Sequence, residues 1–293
     1  MIWLTFLPAG LTLALGVVLG VAQLPLHPAW SARLLATVAA TTVVATIGTL
    51  VFITVNYAAT LFPRAAGQLP EWALFGDDQP VPAGLGIPAI ALTCLSVLTA
   101  TRLSSRWAAE VRDARRTSQE VVESDVPLAL AVPGRGGEVL VSRGLLRMLD
   151  GTQLQVVFQH EASHLRHRHH RYLALGALAA GTLPLLRSLN TRLRFALERW
   201  ADEDAAEAVG DRTLVAHTIA QVALARSSPE PAALPFPAFT DSGVVQRVQA
   251  LLATAPDKNT ITGPVILAGA GLGTGLLASA AWQLDHVLGL TFL

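Results

Sequence analysis

A single cysteine, Cys94, rules out an intrachain disulfide, and its place within an apolar run argues against thiol catalysis. Charge is scarce as well: only 14% of the 293 residues are Asp, Glu, Lys or Arg, against about 25% in soluble domains. Acidic and basic residues balance to a formal net charge of zero, so the chain lacks the basic excess that nucleic-acid binding requires. The arginines around Arg112 therefore read as the flank of a membrane span and not as a phosphate-binding patch. No internal repeat is evident.

What the chain has in quantity is apolar sequence, 52% of its residues, gathered into blocks. No charge occurs from Met1 to Ala32, Leu34 to Pro63, Gln79 to Thr101 or Asn259 to Leu284. A bilayer-crossing helix needs about 20 apolar residues. These blocks predict four spans, Trp3 to Ala22, Ala36 to Leu61, Leu85 to Thr101 and Gly263 to Trp282, the third interrupted at its start by Pro80, Pro82 and Pro88. The first block has no basic n-region and is too long for a signal peptide, so it reads as a retained span. Trp3, Trp30, Trp107 and Trp282 lie near span ends, as an aromatic belt requires. Arg102, Arg106, Arg112, Arg115 and Arg116 crowd after the third span, whereas the loop before it holds Arg64 against Glu71, Asp77 and Asp78. The Arg-rich side is thereby expected to be cytoplasmic, with both termini outside and the segment from Arg102 to Thr262 inside.

That segment carries the most specific pattern, Gln159-His160-Glu161-Ala162-Ser163-His164. On a helix, residues four apart share a face, so His160 and His164 can reach one Zn²⁺. Glu161 lies about 100° round the helix, placed to act as a general base and not as a ligand. Thr152 and Gln155 fit a capping box after the Asp150-Gly151 turn, and an apolar run leads to His160. Glu198 and Asp202, again four apart, can complete a His₂Glu set and hold a metal-bound imidazole by its second nitrogen. In isolation these acids, with Glu203, Asp204 and Glu207, would be an ordinary solvated face.

His167 falls near the face of His160 and His164, while His169 is expected to point away from it and His170 to one side, and these three fit the solvated end of the helix in the run Arg166 to Arg171. His217 is a candidate oxyanion donor against a plain structural histidine. Ala129 to Val132 and Glu138 to Ser142 read as two strands. The edge at Val139, Leu140 and Val141 is a candidate for pairing with an extended substrate. Helices are expected over Thr152 to His170, Ser188 to Val209, Arg212 to Ala225 and Gly243 to Ala253. Tyr172 to Leu186, uncharged throughout, is expected to lie against or dip into the membrane, and Ser227 to Ser242, with four prolines, to be a mobile loop.

The run Ala131-Val132-Pro133-Gly134, Gly137 to Ser142, Gly144-Leu145-Leu146, the His160 to His164 motif and Glu198 to Asp202 resembles the catalytic domain of membrane-embedded metallopeptidases, the BlaR/MecR-type and HtpX/Ste-type families. The resemblance covers about Val126 to Leu252 and departs from the pattern at His169, where relatives often have Asp. It implies that His160, His164 and Glu198 bind Zn²⁺ and that Glu161 is the general base. The implied fold is a mainly α membrane protein of four transmembrane helices, with a cytoplasmic α+β zincin-like (gluzincin) domain between the third and fourth. Residues 1–101 then hold three spans, 102–262 the peptidase domain, and 263–293 the last span and a short outer tail. This layout favours the BlaR/MecR-type group, without its penicillin-binding sensor domain, because only Leu284 to Leu293 follow the last span. The implied activity is a zinc endopeptidase in regulated proteolysis, with a protein or peptide substrate such as a cytoplasmic repressor, the lipid bilayer as partner and a homo-oligomer compatible with it. The alternatives are a housekeeping HtpX/Ste-type protease and a non-catalytic zinc scaffold, the latter requiring a fourth protein ligand such as His167.

Overall fold

The computed structural model describes residues 5–66, 81–116, 121–133, 137–226 and 243–271. The expected loop Ser227 to Ser242, most of the loop Pro63 to Pro82, and the end of the fourth span lie outside the described residues. Helices dominate: α1 (Leu7–Val21), α2 (Pro28–Leu61), α3 (Pro63–Ala66) and α4 (Ala83–Arg116) come first. Three short strands follow, β1 (Val121–Val122), β2 (Ala129–Val132) and β3 (Glu138–Ser142). Then come α5 (Arg143–Met148), α6 (Gly151–Arg166), α7 (His169–Thr182), α8 (Arg187–Val209), α9 (Arg212–Arg226) and α10 (Val244–Leu252).

Among the described residues, two helices are long and apolar enough to cross a membrane, α2 and the stretch Ala83–Ala109 of α4. Only 28% and 17% of their most apolar windows are buried, which leaves broad apolar faces in need of a covering. The shorter apolar helices are α1 and Thr262–Gly271. The α2 helix starts at Pro28, eight residues before the expected span, because Pro fits the first helical turn and His27 Nδ1 accepts from Ala29 N at 3.3 Å. Its N-terminal half belongs to the interior. Ala29, Ala32, Leu35, Ala36, Ala39 and Val43 share one core with Leu186, Leu189, Leu193, Leu197 and Trp200 of the α8 region. Gly20 of α1 lies against Ser188 and Leu189, so close that a Cβ there would meet the α8 backbone.

The sheet has the order β1-β3-β2, with β3 parallel to β1 and antiparallel to β2. Strand β1 takes the expected free edge of β3 at Val141, the register pairing Val121 with Val141 and Val122 with Ser142. Val141 pairs with Val121 on one side and Ala129 on the other, so it has no open edge to offer a peptide. The strand beside α6 is β2, whose Ala131 N donates to a side chain of that helix.

Helix α6 also departs from the expected course at both ends. Its cap is Asp150, one turn signal earlier than Thr152: the Asp150 carboxylate accepts from Thr152 N and Gln153 N at 2.9 Å each, and Gln153 Oε1 accepts from Asp150 N. At its far end Arg168 adopts the left-handed conformation, φ 54°, so Thr152 to His170 is not one helix. The chain turns there, and α7 starts at His169 in a new direction.

Candidate metal centre

The packing of α6 on α8 brings the candidate side chains together. Among the described residues, His160, His164 and Glu198 form the one cluster able to share a metal ion, with a ligand atom from each inside a 4.8 Å sphere of mutual distances. His160 Nε2 and His164 Nε2 are 3.2 Å apart, and each lies 3.6 Å from an oxygen of Glu198. Tetrahedral zinc with bonds of about 2.0–2.1 Å separates its ligand atoms by about 3.3 Å, so this donor set fits the ion. Two imidazoles, each binding through a nitrogen that has given up its proton, and a carboxylate are also the donor set of an open catalytic site.

Each imidazole is held from behind. His160 Nδ1 lies 3.0 Å from Asp202 Oδ1, and Asp202 is wholly buried. His164 Nδ1 lies 2.9 Å from His169 Nδ1, so His169 turns into the site, contrary to the sequence expectation, because α7 leaves the Arg168 break at a new angle. If His164 presents Nε2 to a metal, its Nδ1–H donates to His169, whose own proton must then sit on Nε2. That Nε2 is buried with no hydrogen-bond partner among the described residues, inside a ring of Trp200, Tyr172 and His167.

Sequence reasoning missed Arg247 altogether. Its Nε donates to Asp202 Oδ2 at 2.8 Å and its Nη2 to Asp202 Oδ1 at 2.7 Å, while Nη1 lies 3.0 Å from Glu198 Oε2. A signal was present: Arg247 falls between Val244 and Leu251 on the apolar stripe of α10, where a charge demands a buried partner.

These contacts set the protonation of the site. Burial pushes His160 down, but the Asp202 hydrogen bond and Glu198 outweigh it and hold the imidazole at about 10. Burial lowers His164 to about 4 and His169 to about 2, keeping both neutral. Burial opposes ionisation of Glu198 and Asp202, yet Arg247 beside them holds both carboxyls below their ordinary range. Glu161 is raised, chiefly by burial, and its Oε2 accepts from Ala131 N at 2.9 Å.

Other candidates fall away from the cluster. His167 Nε2 bonds Asp204 Oδ2 at 2.8 Å, and its ring lies over Trp200. His217 is exposed on α9, roughly opposite Val215, Ile219 and Val222, the residues that pack on α6, so it cannot act as the oxyanion donor. Val139 and Leu140 lie in the middle strand, and Val139 packs in one apolar cluster with Leu154 and Val157 of α6, whereas the backbone contact to Glu161 comes from β2. An apolar pocket opens beside His160, lined by Ala129, Leu145, Val157, Ile219 and Val222 together with Arg226.

Peptidase family M48 matches residues 99–227, which include His160, Glu161, His164, Glu198 and Asp202 but not Arg247. A protein described as a protease HtpX homolog, from Thermoplasma acidophilum, is 41% identical over 68 residues, 22% of this chain and 20% of that protein. The chain thus matches about a fifth of that relative's length. No solved structure matches. The family match covers the segment that holds the cluster, and the two matches together support a metallopeptidase of family M48 of the membrane type.

Proposed function

We propose that the chain is an integral membrane zinc endopeptidase, with His160, His164 and Glu198 as metal ligands and Glu161 as general base. The observation that carries this reading is the agreement between the 3.2 and 3.6 Å donor separations and the geometry of zinc. Zn²⁺ bound there supplies Lewis-acid polarisation of the scissile carbonyl and activation of water. Glu161 accepts the proton and returns it to the leaving nitrogen; its burial raises its affinity for that proton, and the Ala131 N–H on Oε2 leaves Oε1 to take it. The outward edge of β2, not β3, is the edge beside Glu161, and an extended peptide is read as pairing there. The apolar pocket beside His160 suits a hydrophobic substrate side chain.

Within this reading the chain crosses the membrane four times, with the peptidase domain on the cytoplasmic side. Leu186 packs against Gly16 of the first apolar helix, and Glu198 lies about 18 Å further along α8 at 1.5 Å per residue. A site so near the apolar helices favours membrane-tethered substrates, in keeping with the HtpX-type match, over the cleavage of a soluble repressor in a signalling pathway. The scaffold reading requires a fourth protein ligand, and among the described residues the cluster that can share an ion holds His160, His164 and Glu198 but not His167.

The test is Glu161→Gln in the full-length protein, assayed on an unfolded membrane protein in detergent or nanodiscs. Zinc content is expected to stay at the wild-type level while cleavage falls by a factor of order 10² or more. Cleavage undiminished in a zinc-loaded variant would exclude Glu161 as the base.

A further inference from the structure

Arg247 is buried to 3% exposure on α10, a helix outside the M48 match, and reaches across to α8. Two of its nitrogens grip the two oxygens of Asp202, and the third faces Glu198 Oε2. A guanidinium offers its donors in a rigid plane, so this fork fixes the Asp202 carboxylate in rotation as well as position. The carboxylate so fixed is the one at His160 Nδ1, and Glu198 is one of the proposed ligands. Glu198 and Asp202 stand one turn apart on α8, two acids that would repel each other in a buried setting without a cation between them.

We infer that Arg247 is a positioning residue of the metal site, acting through Asp202 and Glu198. The inference rests on the metal-binding half of the proposed function and is independent of peptidase activity. Arg247 touches neither metal nor substrate. It keeps Glu198 aimed at the ion and, through Asp202, keeps the His160 proton on Nδ1, leaving Nε2 for the metal. Arg199, the buried cation on α8 itself, does not substitute for it, because Arg199 pairs with Glu203.

The experiment measures zinc affinity by chelator competition on full-length protein carrying Glu161→Gln, so that cleavage plays no part. Arg247→Ala and Asp202→Ala are each expected to weaken zinc binding about 10- to 100-fold. The double variant should be little worse than either alone, since both act as one unit. Added guanidinium should restore much of the affinity of Arg247→Ala and none of the double variant's, a recovery that a purely structural role would not produce. Should Arg247→Ala fail to fold by its melting curve, Arg247→Gln replaces it, and Arg247→Lys, which keeps the charge without the fork, should fall between wild type and Arg247→Gln. Wild-type affinity in Arg247→Ala, or in its Gln replacement, would overturn the inference, as would losses that multiply in the double variant. Absence of zinc from the Glu161→Gln parent itself would strike at the proposed function instead.

Discussion

At the scale of single residues, the two proposed histidine ligands are supported unequally. His160 is backed by a carboxylate locked in a guanidinium fork, whereas His164 is backed by a neutral imidazole. A neutral acceptor orients its partner without adding negative charge, so His169 acts through geometry. Replacing it tests this: His169→Leu removes the acceptor while keeping an apolar volume, and zinc affinity read by chelator competition should fall by roughly 10-fold. Unchanged affinity would show that the packing of α6 alone orients His164. The difference between what the sequence discloses and what it conceals follows the same line. His160, His164, Glu198 and Asp202 are legible because their partners lie one turn away, and helical periodicity converts that spacing into a shared face. Arg247 lies 45 positions from Asp202 along the chain, and periodicity says nothing of such a contact. His169 escapes for the opposite reason, since a helix drawn straight through Arg168 turns it away from the site.

At the scale of elements, that kink is what brings His169 against His164. A non-glycine residue in the left-handed region costs roughly 1 kcal/mol, which the His164–His169 contact and the α7–α8 packing offset. Arg168→Gly should keep zinc affinity and raise the melting temperature, whereas the β-branched Arg168→Val, which resists φ above zero, should lower both. Equal zinc affinity in all three proteins would separate the kink from the site. The strands show a similar limit of sequence reading. Short apolar runs on either side of the turn Pro133 to Gly137 locate β2 and β3 at their observed positions, but two strands alone cannot reveal that β1 comes to lie beside β3. The free edge is not legible in the sequence because register and neighbour order depend on contacts from elsewhere in the chain.

At the scale of the whole molecule, the apolar helices and the candidate site are one construction. The α8 helix that carries Glu198 and Asp202 runs down into a core built with α2, and Gly20 lets α1 approach its backbone. Composition makes the apolar blocks legible, and with them the long helices α2 and α4, but not that α2 begins inside this core, because alanine-rich sequence suits lipid and helix packing alike. Arg33 on α2 lies 4.5 Å from the Trp30 ring and 4.8 Å from the Trp200 ring, adding a cation–π contact to that joint. The metal site is thus tied directly to the apolar helices by packing. A three-ligand zinc site at this joint would be read out most directly by metal analysis of the purified membrane-extracted protein. Wild type should hold one zinc per chain, and Glu198→Ala, folded by its melting curve, should lose most of it; a Glu198→Ala protein with full zinc would contradict the assignment of the third ligand.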